Sequence, residues 1–425
     1  MSVVQKSSLA INGGLKAVQT NAEDLFKWPI ITTEDEEAVL EVLRRGAMSD
    51  TDITRKFEHE LSAWFGVEQA LCCNTGTAAI QTAMYACGVR TGDEVICQSM
   101  TYWGSALQVF SLGGTVVFAE MDPQTLTLDP GDIEHRINER TRAIIVVHYC
   151  GHPTDMDPIL EIAARHNLKV IEDVSHAQGG LYKGRLLGTI GHMGAFSIMS
   201  GKSLACGEGG VLLTADAELF ERAAAFGHYE RTRELEHPEL TPFAGMPLGG
   251  YKYRMHQLSS AVGRVQLVHY KERIDKIQEA MNYFWDLLEG VPGIRAHRPA
   301  RDSGSTMGGW YAAHGLYVPE ELDGLPVARF CEALAAEGVS ASPGANPLMH
   351  LHPVLNDADV YGHGKPTRIA HSARDLRQPL GSLPVSESLP ERCYGIPWFK
   401  HHQPEIIAEY AGAFRKVAEH ADELV

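Results

Sequence analysis

Three short stretches carry residues that could do chemistry together. Lys202 stands in "FSIMSGKSLACGEGG", Phe196 to Gly210, between an apolar run and a glycine-rich turn. Taken alone, that is the setting of a solvated loop lysine, because lysines are mostly exposed. Asp173 ends the otherwise apolar run of "VIEDVSHAQGG", where a carboxylate either caps the next turn or pairs with a protonated ring nitrogen. "NTGTAAIQTAM" from Asn74 is a Thr-Gly-Thr turn opening a helix. It reads as an ordinary capped helix or as backbone N–H groups and the Thr77 hydroxyl aimed at an anion. In combination the three make the set that holds pyridoxal phosphate: a helix start for the phosphate, a lysine for the Schiff base, and a carboxylate that keeps the pyridine nitrogen protonated.

The elements must bring these stretches to one place. From about Thr32 to Val265 helix-like segments alternate with β-branched runs: "DEVIC" at Asp93–Cys97, "TVVFAEM" at Thr115–Met121, "RAIIVVHY" at Arg142–Tyr149, "KVIED" at Lys169–Asp173 and "GGVLLTAD" at Gly209–Asp216. Runs apolar on both faces suit buried, mostly parallel strands, and "MDPILEIAARHN" at Met156–Asn167 has the spacing of a crossover helix. The pattern predicts a doubly wound α/β domain, in which ligands gather at the carboxyl ends of the strands. "HYKERIDKIQEAMNYFWDLLEG" at His269–Gly290 is one long amphipathic helix leading to a smaller C-terminal α/β domain. That domain has a strand at "HGLYVP" near His314, a helix at Val327–Val339, a loop-rich stretch from Ser340 to Pro384 and a helix over the last twenty residues. The predicted organisation is an N-terminal arm over 1–30, a large domain over 31–268 and a small one over 269–425.

Composition narrows the function. The 425 residues are 44% hydrophobic and 21% charged, with 37 Lys and Arg against 54 Asp and Glu, a net charge of −17. Without a basic block, neither nucleic acid nor an anionic membrane surface is an expected partner. No apolar run approaches the roughly 18 residues of a bilayer span, and the N-terminus lacks a signal-peptide core, so a cytoplasmic protein is expected. The eight cysteines include no C-x-x-C pair and read as reduced, buried small hydrophobes. "HLH" at His350–His352 and the pair His401 and His402 lack partners at metal-site spacing, so no metal is expected.

The ordered series "GDEVICQSMTYWGSA", "HYCGHPTDMDPI", "VIEDVSHAQGG", "FSIMSGKSLACGEGG" and "YKYRMHQLSSAVGRVQL" resembles the DegT/StrS sugar aminotransferase family of fold-type I pyridoxal-phosphate enzymes. The likeness runs over nearly the whole chain, from "INGGLKAV" to "PWFKHHQPEIIAEY". It implies that Lys202 is the Schiff-base lysine and also moves the proton between the donor's Cα and the cofactor, with Asp173 as partner of the pyridine nitrogen. It implies that His176 supports the ring and its O3′ region, and that the Gly76 backbone, Thr77 and Ser197 bind the phosphate. An aromatic residue stacks on the ring; that is Tyr102, or Trp103 if the register is offset by one. The family commonly has asparagine two residues before the arginine of "G-Y-N-Y-R-M", reaching across a dimer to the partner's phosphate. Here "GYKYRM" has Lys252, which can still bind phosphate as a point charge or is an exposed lysine at a helix start. The resemblance therefore implies a homodimer with shared active sites.

The implied reaction is a ping-pong transamination. Glutamate or glutamine gives its nitrogen to the cofactor, and a ketone on a cyclitol or a nucleotide-linked sugar collects it. "MTYWGSA", "DVSHAQGG" and "FGHYER" look more like the cyclitol (inosose-type) enzymes of aminoglycoside antibiotic biosynthesis. Two loops, "FGHYERTRELEHPEL" and "NPLMHLHP", offer His228, Tyr229 and His350 as contacts for a hydroxyl-rich acceptor. Rival readings are a nucleotide-linked keto-sugar aminotransferase, a sugar dehydratase of the same family, and a non-catalytic pyridoxal-phosphate-binding regulator. The dehydratases have histidine where this chain has Lys202, and a regulator would need a DNA-binding module that the charge pattern lacks.

Overall fold

The computed structural model describes residues 8–425, so the first seven residues of the predicted arm lie outside the described residues. The β-branched runs form strands buried on both faces. Seven strands make the large sheet: β1 (Gln69–Cys73), β2 (Glu94–Gln98), β3 (Thr115–Ala119), β4 (Thr141–Val147), β5 (Lys169–Asp173), β6 (Met193–Ser197) and β7 (Gly210–Thr214). Their order is β1-β7-β6-β5-β4-β2-β3. From β3 across to β6 every pairing is parallel, whereas β7 runs antiparallel to both β6 and β1. The connection 198–209 holds no helix, and without a crossover helix the chain returns as the other half of an antiparallel pair. Lys202 sits in that connection.

Helices cover both faces. Gly76–Ala86 and Ala217–Gly227 pack Ala79, Met84, Leu219 and Ala223 on one side, and Asp52–Phe65 and Met156–His166 pack Phe57, Leu61, Met156 and Ile159 on the other. The crossover helix predicted from "MDPILEIAARHN" spans Met156–His166 and ends at Asn167 in the left-handed region.

The predicted long helix is Tyr270–Leu287, following Gln257–Val268 after a break at His269. Beyond it, four short strands form a second sheet that is antiparallel at every pairing, unlike the mostly parallel large sheet. Its core joins Ile277, Phe284, Phe330, Ile407 and Phe414 with Leu9, Val18 and Leu25 of the N-terminal arm. Fully buried Glu337 anchors the arm by accepting from the Ala10 and Ala17 amides, each at 2.8 Å, and from Lys416 Nζ at 2.8 Å.

The loop-rich stretch covers the free edge of the large sheet. Gln378 accepts from the Phe118 amide at 2.9 Å and donates to its carbonyl at 2.8 Å, as a neighbouring strand would. Buried Arg368 donates to the Val116 carbonyl at 3.3 Å. Side chains here close an edge that would otherwise pair with another chain. Among the described residues no helix is long and apolar enough to cross a membrane.

Candidate active site

β5 and β6 end side by side, and the helix Gly76–Ala86 starts beside them. A cavity of about 530 Å³ lies there, lined by Gly76, Thr77, Tyr102, Asp173, His176, Ser197 and Lys202 among others. Thr75 caps the helix, its hydroxyl accepting from the Ala78 amide at 3.0 Å, which leaves the Gly76 and Thr77 N–H groups without intrahelical partners. The helix start reaches β6 only because residue 76 has no side chain: a Cβ there would stand 2.6 Å from Ser197 Cα. The Ser197 hydroxyl accepts from the Met199 amide at 3.3 Å.

Asp173 is 3% exposed. Ser105 Oγ donates to its Oδ2 at 2.7 Å and the Ser175 amide to its Oδ1 at 3.0 Å, so both oxygens are oriented and keep spare acceptor capacity. Across the cavity Lys202 is 7% exposed, and its Nζ lies 3.6 Å from the centroid of the Tyr311 ring. Among the described residues Nζ has no hydrogen-bond partner. Burial pulls its pKa down to about 8 against the opposing pull of the Asp173 charge. An amine with that pKa is a nucleophile near neutral pH. The main chain of Lys202 is fixed by Trp28, whose indole N–H donates to the Lys202 carbonyl at 2.8 Å.

His176 accepts from the Cys150 amide through Nδ1 at 3.2 Å, which assigns its proton to Nε2. Burial first, and then the neighbouring Lys202, hold it well below the usual imidazole range, so the ring is neutral. Of the two aromatic candidates, Tyr102 lines the cavity and Trp103 does not, although the rings touch at a centroid distance of 5.0 Å. A Cβ at Gly104 would meet the Tyr102 ring at 3.0 Å and Thr77 Oγ1 at 3.1 Å, which puts ring and hydroxyl on one patch of wall.

The remaining predicted residues are not brought to this cavity within the chain. His228 is buried and bonds the Cys72 carbonyl at 3.1 Å through Nε2, and burial pushes its pKa down to about 4. His350 is buried between Ser99 Oγ at 2.6 Å and Glu387 Oε1 at 3.1 Å. Neither imidazole lines the cavity, which corrects their predicted place at the acceptor pocket. The "NPLMHLHP" loop does reach the cavity, through Asn346. Tyr229 is exposed, takes a hydrogen bond from Arg254 Nη1 at 3.0 Å, and has Lys252 Nζ 5.6 Å from its ring centroid. Lys252 is itself exposed, on a segment tied to the end of β1 through the Asn74 amide and Tyr253 carbonyl at 2.7 Å.

Sequence reasoning missed Ser105, Ser175, Glu208, Tyr311 and Asn346, which also line the cavity. Ser105, Ser175 and Glu208 lie inside quoted motifs, the two serines one or two positions from residues that were singled out and Glu208 six beyond Lys202. Tyr311 lies in a loop before the second strand of the small sheet, where no local pattern marks it.

The donor set fits pyridoxal phosphate. It combines free N–H groups and hydroxyls at a helix start, an oriented carboxylate and an unpartnered amine around one cavity, with glycines at 76 and 104 letting the helix start and the Tyr102 turn close up on it. The volume lies within the usual range of small-molecule pockets.

The sequence profile of the DegT/DnrJ/EryC1/StrS aminotransferase family matches residues 29–409. The chain is 31% identical over 435 residues to the L-glutamine:scyllo-inosose aminotransferase of Streptomyces griseus, covering 98% of this chain and 99% of that protein. It is 35% identical over 341 residues to a GDP-perosamine synthase of Caulobacter vibrioides, covering 77% of this chain and 88% of that protein. The X-ray structure of an aminotransferase from Psychrobacter cryohalolentis superposes with a TM-score of 0.79 at 26% identity, over 93% of this chain and 99% of that one.

Proposed function

The chain belongs to the DegT/DnrJ/EryC1/StrS aminotransferase family, whose members depend on pyridoxal phosphate, and from that premise we propose that it carries an amino group from glutamate or glutamine to the keto group of a cyclitol. The single observation that carries the residue roles is the buried Lys202 amine, without a hydrogen-bond partner, in one cavity with Asp173 and the helix start.

Bound in that cavity, pyridoxal phosphate supplies an aldehyde that takes up an amino group and a ring that accepts the electron pair released at the adjacent carbon. Gly76, Thr77 and Ser197 hold the phosphate. Asp173, aimed by Ser105 and Ser175, accepts the hydrogen bond of the protonated pyridine nitrogen and keeps that proton in place. Neutral His176 would offer its Nε2–H as a donor to the cofactor, and Tyr102 would supply an aromatic face for its ring. Lys202 would hold the cofactor through its amine, and with the donor bound the same amine would be the group that takes and returns the proton at the donor's Cα.

The assembly is a homodimer in which Lys252 approaches the partner's phosphate site. The support is that Lys252 is exposed, its Nζ 5.6 Å from the ring centroid of the likewise exposed Tyr229, on a segment tied to the end of β1 beside the helix start. Eight free, buried cysteines suit the reducing cytoplasm.

The acceptor reading leans on the end-to-end match with the scyllo-inosose enzyme and on the polar wall offered by Tyr102, Glu208 and Asn346. A buried polyol hydroxyl left unpaired costs about 1–3 kcal/mol, so such a wall is what a cyclic polyol needs. On this reading the product serves aminocyclitol antibiotic biosynthesis. The likeness to GDP-perosamine synthase favours a second reading, a nucleotide-linked keto sugar. Enzyme loaded with the amino form of the cofactor is mixed with single ketones and the absorbance of the aldehyde form is followed. Return with inososes supports the proposal, return with nucleotide keto sugars alone supports the second reading, and return with 2-oxo acids alone defeats both.

A further inference from the structure

We propose that the face of the Tyr311 ring stabilises the ammonium that Lys202 becomes when it takes a proton during the reaction, which makes Tyr311 a catalytic residue. The proposal rests on the Lys202 role argued above. In the step concerned, the C–H bond at the donor's Cα breaks, its electron pair stays with the carbon and is shared into the cofactor, and the proton bonds to the Nζ lone pair. The Nζ that would gain this positive charge lies 3.6 Å from the Tyr311 centroid. A cation within about 6 Å of an aromatic face is attracted by the ring quadrupole, most strongly where water is excluded.

The surroundings leave few other groups to do this. Nζ has no hydrogen bond among the described residues, and Lys202 is buried. Of the titratable groups that face it, Asp173 favours the charged form, while His176 is neutral. The Cys150 thiol is pushed well above its ordinary pKa by burial and stays protonated. Glu208, on the same cavity, is exposed.

The fold holds the ring in this position from several sides. Trp398 meets Tyr311 edge-on at 5.8 Å and 87°, and His176 packs at 5.0 Å. Gly308, Trp310 and Ala312 all have positive φ, at 61°, 54° and 55°. Left-handed backbone is costly for a tryptophan and an alanine and gathers at functional sites. The same loop presses on the lysine turn, since a Cβ at Gly309 would stand 2.1 Å from Ser203 Cβ, one residue beyond Lys202.

The test reads the amine directly in the full-length, cofactor-free protein carrying [ε-13C]lysine, with the Lys202 resonance identified by its loss in Lys202→Ala. Tyr311→Leu keeps the site dry but removes the ring face, and should lower the pKa of the amine by about one unit, roughly tenfold in its protonation constant. Tyr311→Phe keeps the face and should titrate within about 0.3 unit of the wild type. If the leucine protein does not fold, pentafluorophenylalanine at position 311 keeps the shape, reverses the quadrupole and should lower the pKa further still. An unchanged or raised pKa on removing or reversing the face overturns the proposal, as does a Tyr311→Phe shift as large as that of Tyr311→Leu. Borohydride labelling at another lysine would instead overturn the Lys202 role, whatever the titrations give.

Discussion

Replacing Gly76 by alanine tests how the helix start is seated against the sheet. The added Cβ would stand 2.6 Å from Ser197 Cα and Cβ and 2.7 Å from Ser197 N, whereas carbon atoms in contact sit about 3.5–4.0 Å apart. Ser197 ends a strand paired on both sides, so the helix start must withdraw by about 1 Å. Overpacking of this kind costs about 1–3 kcal/mol, offset by up to about 1 kcal/mol because alanine suits a helix better than glycine. The net loss of stability is therefore modest, about 1 kcal/mol. The larger effect falls on the phosphate. A hydrogen bond to a charged group is worth about 1.5–3 kcal/mol and weakens steeply when stretched by 1 Å, so losing one weakens binding roughly 10–100-fold. Equilibrium dialysis of the cofactor-free protein should show that loss for pyridoxal phosphate and little change for pyridoxal, which lacks the phosphate. Equal affinity of wild type and Gly76→Ala for pyridoxal phosphate, in a protein of unchanged stability, would refute the close seating of helix on strand.

Three further outcomes follow from buried charges. Lys202 titrates at about 8 when folded and at 10.5 ordinarily, so it destabilises the cofactor-free protein by about 3 kcal/mol below pH 8, a cost that relaxes as pH rises to 10.5. Lys202→Met should accordingly raise the urea midpoint at pH 7 and lose that advantage by pH 10.5; a gain independent of pH would contradict the titration. Asp173→Asn removes the charge that favours the ammonium, so the pH midpoint for carbamylation of Lys202 should fall below about 8, and an unchanged midpoint would show the two groups to be uncoupled. Glu337→Ala leaves two amides and Lys416 without their acceptor and should cost about 3 kcal/mol, with limited proteolysis now cutting between residues 8 and 22; an arm as resistant as the wild type's would contradict the anchoring.

The parts legible in the sequence were those fixed by local pattern. "KVIED" is the strand Lys169–Asp173 without a residue of error, because its β-branched centre, Val170 and Ile171, marks a strand buried on both faces. The direction of β7 was not read, since a strand's residue pattern says little about which way it runs. "QALCC" went unread as β1 because it lacks the β-branched residues that mark the other strands. The edge closure by Gln378 and Arg368 was hidden because long-range side-chain to backbone bonds leave no periodicity. At the site, residues at strand ends and at the helix start were legible, since the topology converges there. His228 and His350 were misjudged because sequence gives a loop's composition but not which of its side chains turn inward. Tyr311 was invisible for the same reason.

The central claim is that the amine of Lys202 is the group that binds and serves the cofactor. Reduction of the holoenzyme with borohydride, digestion and mass spectrometry of the cofactor-bearing peptide test it most directly. The account predicts label on the peptide containing Lys202 and none after Lys202→Ala. Label on a peptide containing any other lysine in the wild type would contradict it.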